Sequence, residues 1–343
     1  MKLIKPSVKH IQLDDNIQQI GYAASICYNS DKKGTIEWLD QLWKSGHRSP
    51  FRHAANYYII PKYSVGQELL FSFKYSPYVG YYDDYRNGVV FVSFNEQYRR
   101  ENNYLNFLNV YKVNELNFIA EANKNYCIGE ALNLLYHTFE IVTQISTSRE
   151  LNRISPNSIC EQSTRYCNFT KEKYESHIKF CEPHWLDATT YYEKDKEIES
   201  NERIFFRENG KLMAQVGSAN IEVNTLSANI GANTLYPLAT KGIPQTDNSS
   251  LIYSNYIATD WIKNCLDAED KYFTSIRYGM KPEDARGLLP LDVATKCIYT
   301  YRLEEWNHFL DLRLFGRTGK PHPNAKIIAN MIFNILYPNE KAD

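Results

Sequence analysis

Apolar positions recur at helical spacing over residues 17–27 and 35–44, which predicts two amphipathic helices early in the chain. The run Ser45-Gly-His-Arg-Ser-Pro-Phe-Arg-His53 breaks that periodicity and reads as a turn. Tyr57-Tyr-Ile-Ile60 then reads as a strand, stopped at Pro61 because proline has no N–H for a ladder. Residues 64–126 are rich in Tyr and Asn, with a strand expected at 88–94. Residues 138–145 alternate as a strand does, and Ser148-Arg-Glu-Leu-Asn-Arg153 is expected to start a helix with Ser148 as its N-cap. A long helical pattern over 253–278 is carried by Trp261, Cys265, Leu266, Ala268 and Tyr272. Pro282 opens another segment, in the first-turn position that proline tolerates, and a last helix is expected at 324–336.

Between these elements, residues 185–250 are polar, with charge runs at 193–207 and small residues at 217–233. They read as an insertion, and the length fits either one enlarged domain spanning residues 1–343, with insertions at about 64–130 and 185–250, or two domains. The segment at 235–241 echoes 289–296; we take this as chance, because only the second copy follows a nearby arginine.

Composition narrows the class. An apolar fraction of 43% supports a substantial core, and 27 Tyr, 16 Phe and 5 Trp exclude a disordered chain. The net charge of −1 argues against a nucleic-acid partner, which requires a basic surface. Residues 1–15 hold no apolar core of a secretory signal, and no apolar run reaches membrane-spanning length. Seven cysteines without a framework fit reduced thiols and a cytoplasmic setting. Neither CxxC nor HExxH occurs, so no metal site is expected.

The densest chemistry lies in Arg153-Ile-Ser-Pro-Asn-Ser-Ile-Cys-Glu161-Gln-Ser163-Thr164-Arg165-Tyr166. Guanidinium forks, hydroxyls and loop N–H groups are what holds a phosphate and a flat heterocycle. A polar helix cap with a Glu161–arginine salt bridge would use the same residue types. Two later segments, Ala285-Arg286-Gly-Leu-Leu-Pro290 and Phe309-Leu-Asp-Leu-Arg313, tip the reading. Together the three resemble the flavin-dependent thymidylate synthases, whose signature is RHRxxSxNExSxR followed by ARxxLP and FLxLR. Arg153, Ser158, Glu161, Ser163 and Arg165 fall on it without a gap, and Ser49-Pro-Phe-Arg-His53 resembles the family's PFxH turn. The departures are Ile154 and Ser155 for the His-Arg pair and Cys160 for Asn.

The resemblance implies an α+β fold, with a central antiparallel sheet and flanking helices. It implies reductive methylation of dUMP to dTMP by a homotetramer with sites at subunit junctions, using FAD, NADPH and the folate 5,10-methylenetetrahydrofolate. Arg313 would be catalytic, activating uracil in place of a cysteine, for which no Pro-Cys pair exists. Arg153, Glu161, Ser163, Thr164, Arg165, Arg286 and Arg313 would bind dUMP. FAD would meet Arg153, Ser155, Glu161, Arg302, His308 and His53, and Tyr166 would stack on the folate or another flat partner. Glu150 falls where the family has another nucleotide contact, usually Gln. No GxGxxG supports a dinucleotide fold independently. Two alternatives use the same residues: another C5 pyrimidine modification (hydroxymethylation of dUMP or methylation of UMP), or a nucleotide-binding protein without flavin chemistry.

Overall fold

The computed structural model describes all residues except 14, 29–33, 166, 172–174, 176, 188–189, 194–195, 200–201, 217–218, 224–238, 241–247 and 343. The first copy of the sequence echo therefore lies largely outside the described residues. The fold is α+β, as expected. Its central sheet has four strands in the order Ser7–Ile11, Tyr136–Gln144, Ala294–Arg302, Ile159–Glu161, with every neighbouring pair antiparallel.

The two long inner strands show period-two alternation. Cys297, Tyr299 and Tyr301 point to one face, where they join Phe139, Ile141, Trp306, Phe309, Ile328 and Ile332 in a core. The helices Leu303–Arg313 and Pro323–Leu336 cover that face. On the other face Ile298 meets Ala23 and Ile26 of the helix Asn16–Tyr28. Thr300 lies on this second face within a buried relay: Gln19 donates to Thr138 at 2.9 Å, the Thr138 and Thr300 hydroxyls are 2.8 Å apart, and Thr300 is 2.8 Å from His53 Nδ1. Every hydroxyl proton is used when Nδ1 accepts, so His53 serves as a neutral ring here.

A second four-stranded antiparallel sheet, in the order Val79–Asp84, Val89–Asn95, Ala55–Pro61, Lys112–Val113, is apolar on both sides. Tyr58, Ile60, Val90, Val92 and Phe94 pack on Leu70, Phe73 and Leu105, while Tyr57 and Phe91 pack on Phe118 and Leu134. The apolar runs of Ala55–Pro61 and Val89–Asn95 were legible, whereas the edge strand Val79–Asp84 was not, because its glycine and two aspartates break the strand pattern. A third sheet runs Ala219–Glu222, Lys211–Val216, Glu202–Glu208, Lys2–Ile4, Lys179–Cys181, its last pair parallel. Phe205, Leu212 and Ala214 thus share a core with Leu3, Phe180 and Tyr272.

The expected helices at 17–27, 35–44, 253–278 and 324–336 are present as Asn16–Tyr28, Ile36–Lys44, Asn248–Arg277 and Pro323–Leu336. One cap differs. The helix Ile145–Leu151 follows its strand directly, with Gln144 at the N-cap position. The first N–H groups donate outward, Ile145 to Val293 and Ser146 to Leu291, and Ser148 lies inside the helix, its hydroxyl 2.9 Å from both the Ile145 carbonyl and Glu161 Oε1.

Candidate active site

Arg313 ends a buried stripe. Along its helix Trp306, Phe309, Leu310 and Arg313 follow the i, i+3, i+4, i+7 spacing of a core face, and all four are buried. Arg313 is 9% exposed. It faces the C-terminal end of the helix Ile145–Leu151, where the last carbonyls lack partners within the helix. Glu150 supplies one of them, accepting from Arg313 Nε at 2.6 Å. Its carboxylate Oε2 lies 3.7 Å from Arg313 Nη2 and 3.4 Å from Arg153 Nη2. Arg153 Nη1 donates to the Asn152 carbonyl at 2.9 Å, and Asn152 Oδ1 accepts from Tyr299 at 3.1 Å. Burial, and then the charge of Arg153, hold the Arg313 pKa below its ordinary value, with Glu150 opposing them.

A second cluster gathers the other two arginines. Arg286 begins the short 3-10 turn after the helix Pro282–Ala285 and donates from Nε to the Glu283 carbonyl at 3.0 Å. Its Nη1 donates to Thr164 Oγ1 at 3.3 Å, and Arg165 Nε pairs with Glu283 Oε2 at 3.2 Å. Ser163 Oγ accepts from the Arg165 N–H at 3.3 Å, while the Ser163 N–H donates to the Cys27 carbonyl at 3.2 Å. These groups are exposed or half-buried, and so are open to an incoming anion.

Glu161 is the link between the clusters, two residues before Ser163 in the chain. Its Oε1 accepts from Ser148 at 2.9 Å and from Thr295 at 3.1 Å. Both of these partners are hydroxyls. Cys160, its neighbour in the strand, points to the opposite face, among Ala23, Ile26 and Ile298. A hydrogen bond donated to Cys27, and then burial, push its thiol well above the ordinary value. A protonated thiol facing away from the arginines is poorly placed to attack a pyrimidine.

The residues nominated for flavin are dispersed. Arg302 lines a cavity of about 210 Å³ with Arg52, Tyr136, Asn157 and Ser158, but Glu304 at 2.8 Å and Glu305 at 3.1 Å already neutralise it. Gly80 is pressed against it, since a Cβ there would meet Arg302 Cδ at 2.8 Å and Ser93 Oγ at 2.6 Å. His53 is 1% exposed and committed to the relay. Burial, with a smaller push from Arg52, lowers its pKa to about 3, so it offers no positive charge near neutrality. His308 and Ser155 are exposed. As arranged in one chain, this set does not fit a flavin diphosphate. Tyr166 lies outside the described residues.

Sequence reasoning missed three residues. Glu283 carried a signal, because it stands three positions before Arg286 on a helix. Ser148 was read only as a cap, and Thr295 carries no local signal. Among the described residues no group of three or more His, Cys, Asp or Glu is arranged to hold a metal ion, and no helix is long and apolar enough to cross a membrane.

Comparison with curated proteins gives no match. Among solved structures, the chain is similar to a UMP/dUMP methylase, PolB, from Streptomyces cacaoi bound with 5-Br dUMP. That likeness has 14% identity, covers 98% of this chain and 93% of that one, and has a TM-score of 0.39. The same protein bound with 5-Br UMP matches at 13% identity, with coverage of 98% and 91% and a TM-score of 0.38. A family model described as thymidylate synthase complementing protein matches residues 116–338. That stretch holds Glu150, every signature residue from Arg153 to Arg165, Arg286 and Arg313, and spans well over half of the sequence. The chain belongs to the thymidylate synthase complementing protein family.

Proposed function

We propose that this protein methylates dUMP at C5, yielding dTMP, with 5,10-methylenetetrahydrofolate as one-carbon donor and FAD and NADPH as the reducing pair. The observation that carries the reading is Arg313, a nearly buried guanidinium held by Nε on a helix-end carbonyl, with Arg153 and Glu150 beside it. Uracil C5 is a weak nucleophile. A fixed guanidinium at O4 stabilises negative charge on the ring oxygen and so raises electron density at C5, and it is worth most where water is excluded. The phosphate is assigned to Arg165 and Arg286, where two forks and the Thr164 hydroxyl share one exposed surface. Glu161, held by two hydroxyls, is assigned to the ribose. FAD supplies the hydride when bound; the flavin residues nominated from the sequence do not fit it within one chain, and no step is routed through them. The same reading carries a single enlarged domain, a homotetramer with sites at subunit junctions, and a cytoplasmic setting.

The test is incubation of the protein with dUMP, methylenetetrahydrofolate, FAD and NADPH, followed by mass spectrometry of the nucleotide. A gain of CH₂ is expected, with turnover falling on the order of a hundredfold or more in Arg313→Ala, the usual cost of losing a preorganised charge-stabilising donor. A gain of CH₂O would replace methylation with hydroxymethylation. Unchanged dUMP would overturn the reading.

A further inference from the structure

We propose that Cys27 and Cys160 are a peroxide-responsive pair, in which Cys27 is oxidised first and Cys160 resolves it into a disulfide that weakens dUMP binding. The pairing is independent of the methylation reading, while its effect on the nucleotide rests on the phosphate assignment made above. Cys160 stands where the family signature has Asn, and the candidate site makes no use of it. Its strand, Ile159–Glu161, is an edge of the central sheet. There Gln162 turns its N–H inward, to the Lys296 carbonyl at 2.8 Å, and Ser163 turns its own outward, to the Cys27 carbonyl at 3.2 Å. The same alternation sends the Glu161 N–H outward, where it donates to the Cys27 sulfur. Cys27, in the last turn of the helix Asn16–Tyr28, thus covers the open strand edge with both its carbonyl and its sulfur. The two cysteines pack in one small cluster with Ala23, Ile26 and Ile298, and the Cys160 S–H donates to the Cys27 sulfur. Both thiols are free; Cys160 is buried and Cys27 half-buried, so a small oxidant meets Cys27 first.

The two thiols are unequal. The hydrogen bond from Cys160, with burial opposing it, holds the Cys27 thiol below its ordinary value, while Cys160 keeps its proton. The thiolate is the nucleophile, and donors around a sulfur favour it. The Cys27 thiolate attacks one oxygen of hydrogen peroxide and the O–O bond breaks. A sulfenic acid forms, and the departing hydroxide takes up a proton. Cys160 then gives up its proton, its sulfur bonds to that of Cys27, and the second oxygen leaves as water. Two thiols lose two electrons and two protons, and one peroxide becomes two waters. Covalent closure draws the helix end onto the edge strand and takes the Cys27 sulfur from the Glu161 N–H. The pull reaches the nucleotide site directly, because Glu161 follows Cys160 in the chain and Ser163, which accepts from the Arg165 N–H at 3.3 Å, hangs on the Cys27 carbonyl.

The test treats the reduced full chain with hydrogen peroxide, caps the remaining thiols with a maleimide and reads the digest by mass spectrometry, beside titration calorimetry of dUMP. A peptide pair joined through Cys27 and Cys160 is expected, with dUMP binding weakened about tenfold, within the usual range of coupling between two sites, and restored by dithiothreitol. Cys160→Ala lacks the resolving thiol, so it is expected to stop at a Cys27 sulfenic acid that dimedone traps, and to hold its dUMP affinity within about twofold. Maleimide on both cysteines after peroxide overturns the proposal. So does a linked pair whose dUMP affinity stays within about twofold of the reduced protein's. Both of these outcomes are read on the wild-type chain, whether or not the variant folds. A linked pair in a protein that binds no dUMP in either state keeps the disulfide and overturns the phosphate assignment instead.

Discussion

At the scale of single residues, charge and direction decide which groups take part. Arg313 and Cys160 both lie within family signature segments, yet one is turned toward the arginine cluster and the other toward the Asn16–Tyr28 helix. Cys160→Ala is expected to keep methylated product formation within about threefold of wild type, measured by mass spectrometry. Loss of a covalent nucleophile would instead cost on the order of 10⁴ or more. The arginines of the candidate site could be singled out in the sequence because guanidinium chemistry narrows a residue to few tasks. Their partners were less legible. Thr295 reaches Glu161 through strand pairing and Ser148 from the helix Ile145–Leu151, and the local sequence around Thr295 carries no mark of that contact. Glu150 was visible as a position, but its sharing between two arginines depends on where the last helix turn ends.

At the scale of elements, the helix Leu303–Arg313 aims the site, and Trp306 fixes the helix. Trp306 is 0% exposed, meets Phe139, Tyr301 and Phe309 edge-on, and donates from Nε1 to the His137 carbonyl at 3.0 Å. Trp306→Ala is expected to cost about 3–5 kcal/mol in denaturant unfolding, the range for emptying a large aromatic site in a core. Elements with one buried face, such as Asn16–Tyr28 and Pro323–Leu336, were readable from periodicity. The strands Ala55–Pro61 and Val89–Asn95, buried on both faces, were read as short apolar runs, while the edge strand Val79–Asp84, with glycine and two aspartates, was not. The Ser148 cap was misread for a related reason. A hydroxyl before an apolar run marks a helix start only if the chain is not already helical, and here it enters the helix straight from a strand.

At the scale of the whole molecule, three histidines on or beside the central sheet, half-buried His10 and His137 and buried His53, are held neutral. Burial lowers His10, burial and then His10 lower His137 to about 4, and burial and then Arg52 lower His53 to about 3, all from an ordinary value of 6.5. A histidine depressed on folding takes up a proton more readily when unfolded. Stability is therefore complete above about pH 6.5 and is lost as pH falls toward the folded values, by up to about 1.4 kcal/mol per pH unit for each such group. Unfolding free energies measured from pH 7 to 4 should show this slope, and His53→Asn should flatten it by about one histidine's share. The number of sheets was not legible, since the polar stretch 185–250 supplies Glu202–Glu208 as a partner for the chain's first strand. The central sheet makes its own demand on how the molecule comes into being. Its neighbours are drawn from residues 7–11, 136–144, 159–161 and 294–302, so no adjacent pair can form until the polypeptide has closed a loop of more than a hundred residues. The Ala55–Pro61, Val79–Asp84, Val89–Asn95 and Lys112–Val113 strands pair over far shorter stretches and can assemble while the ribosome is still working. The candidate site is then among the last parts to be built, and a nascent chain carries Arg153 and Arg165 for some time before the strand Ala294–Arg302 completes the sheet beside them.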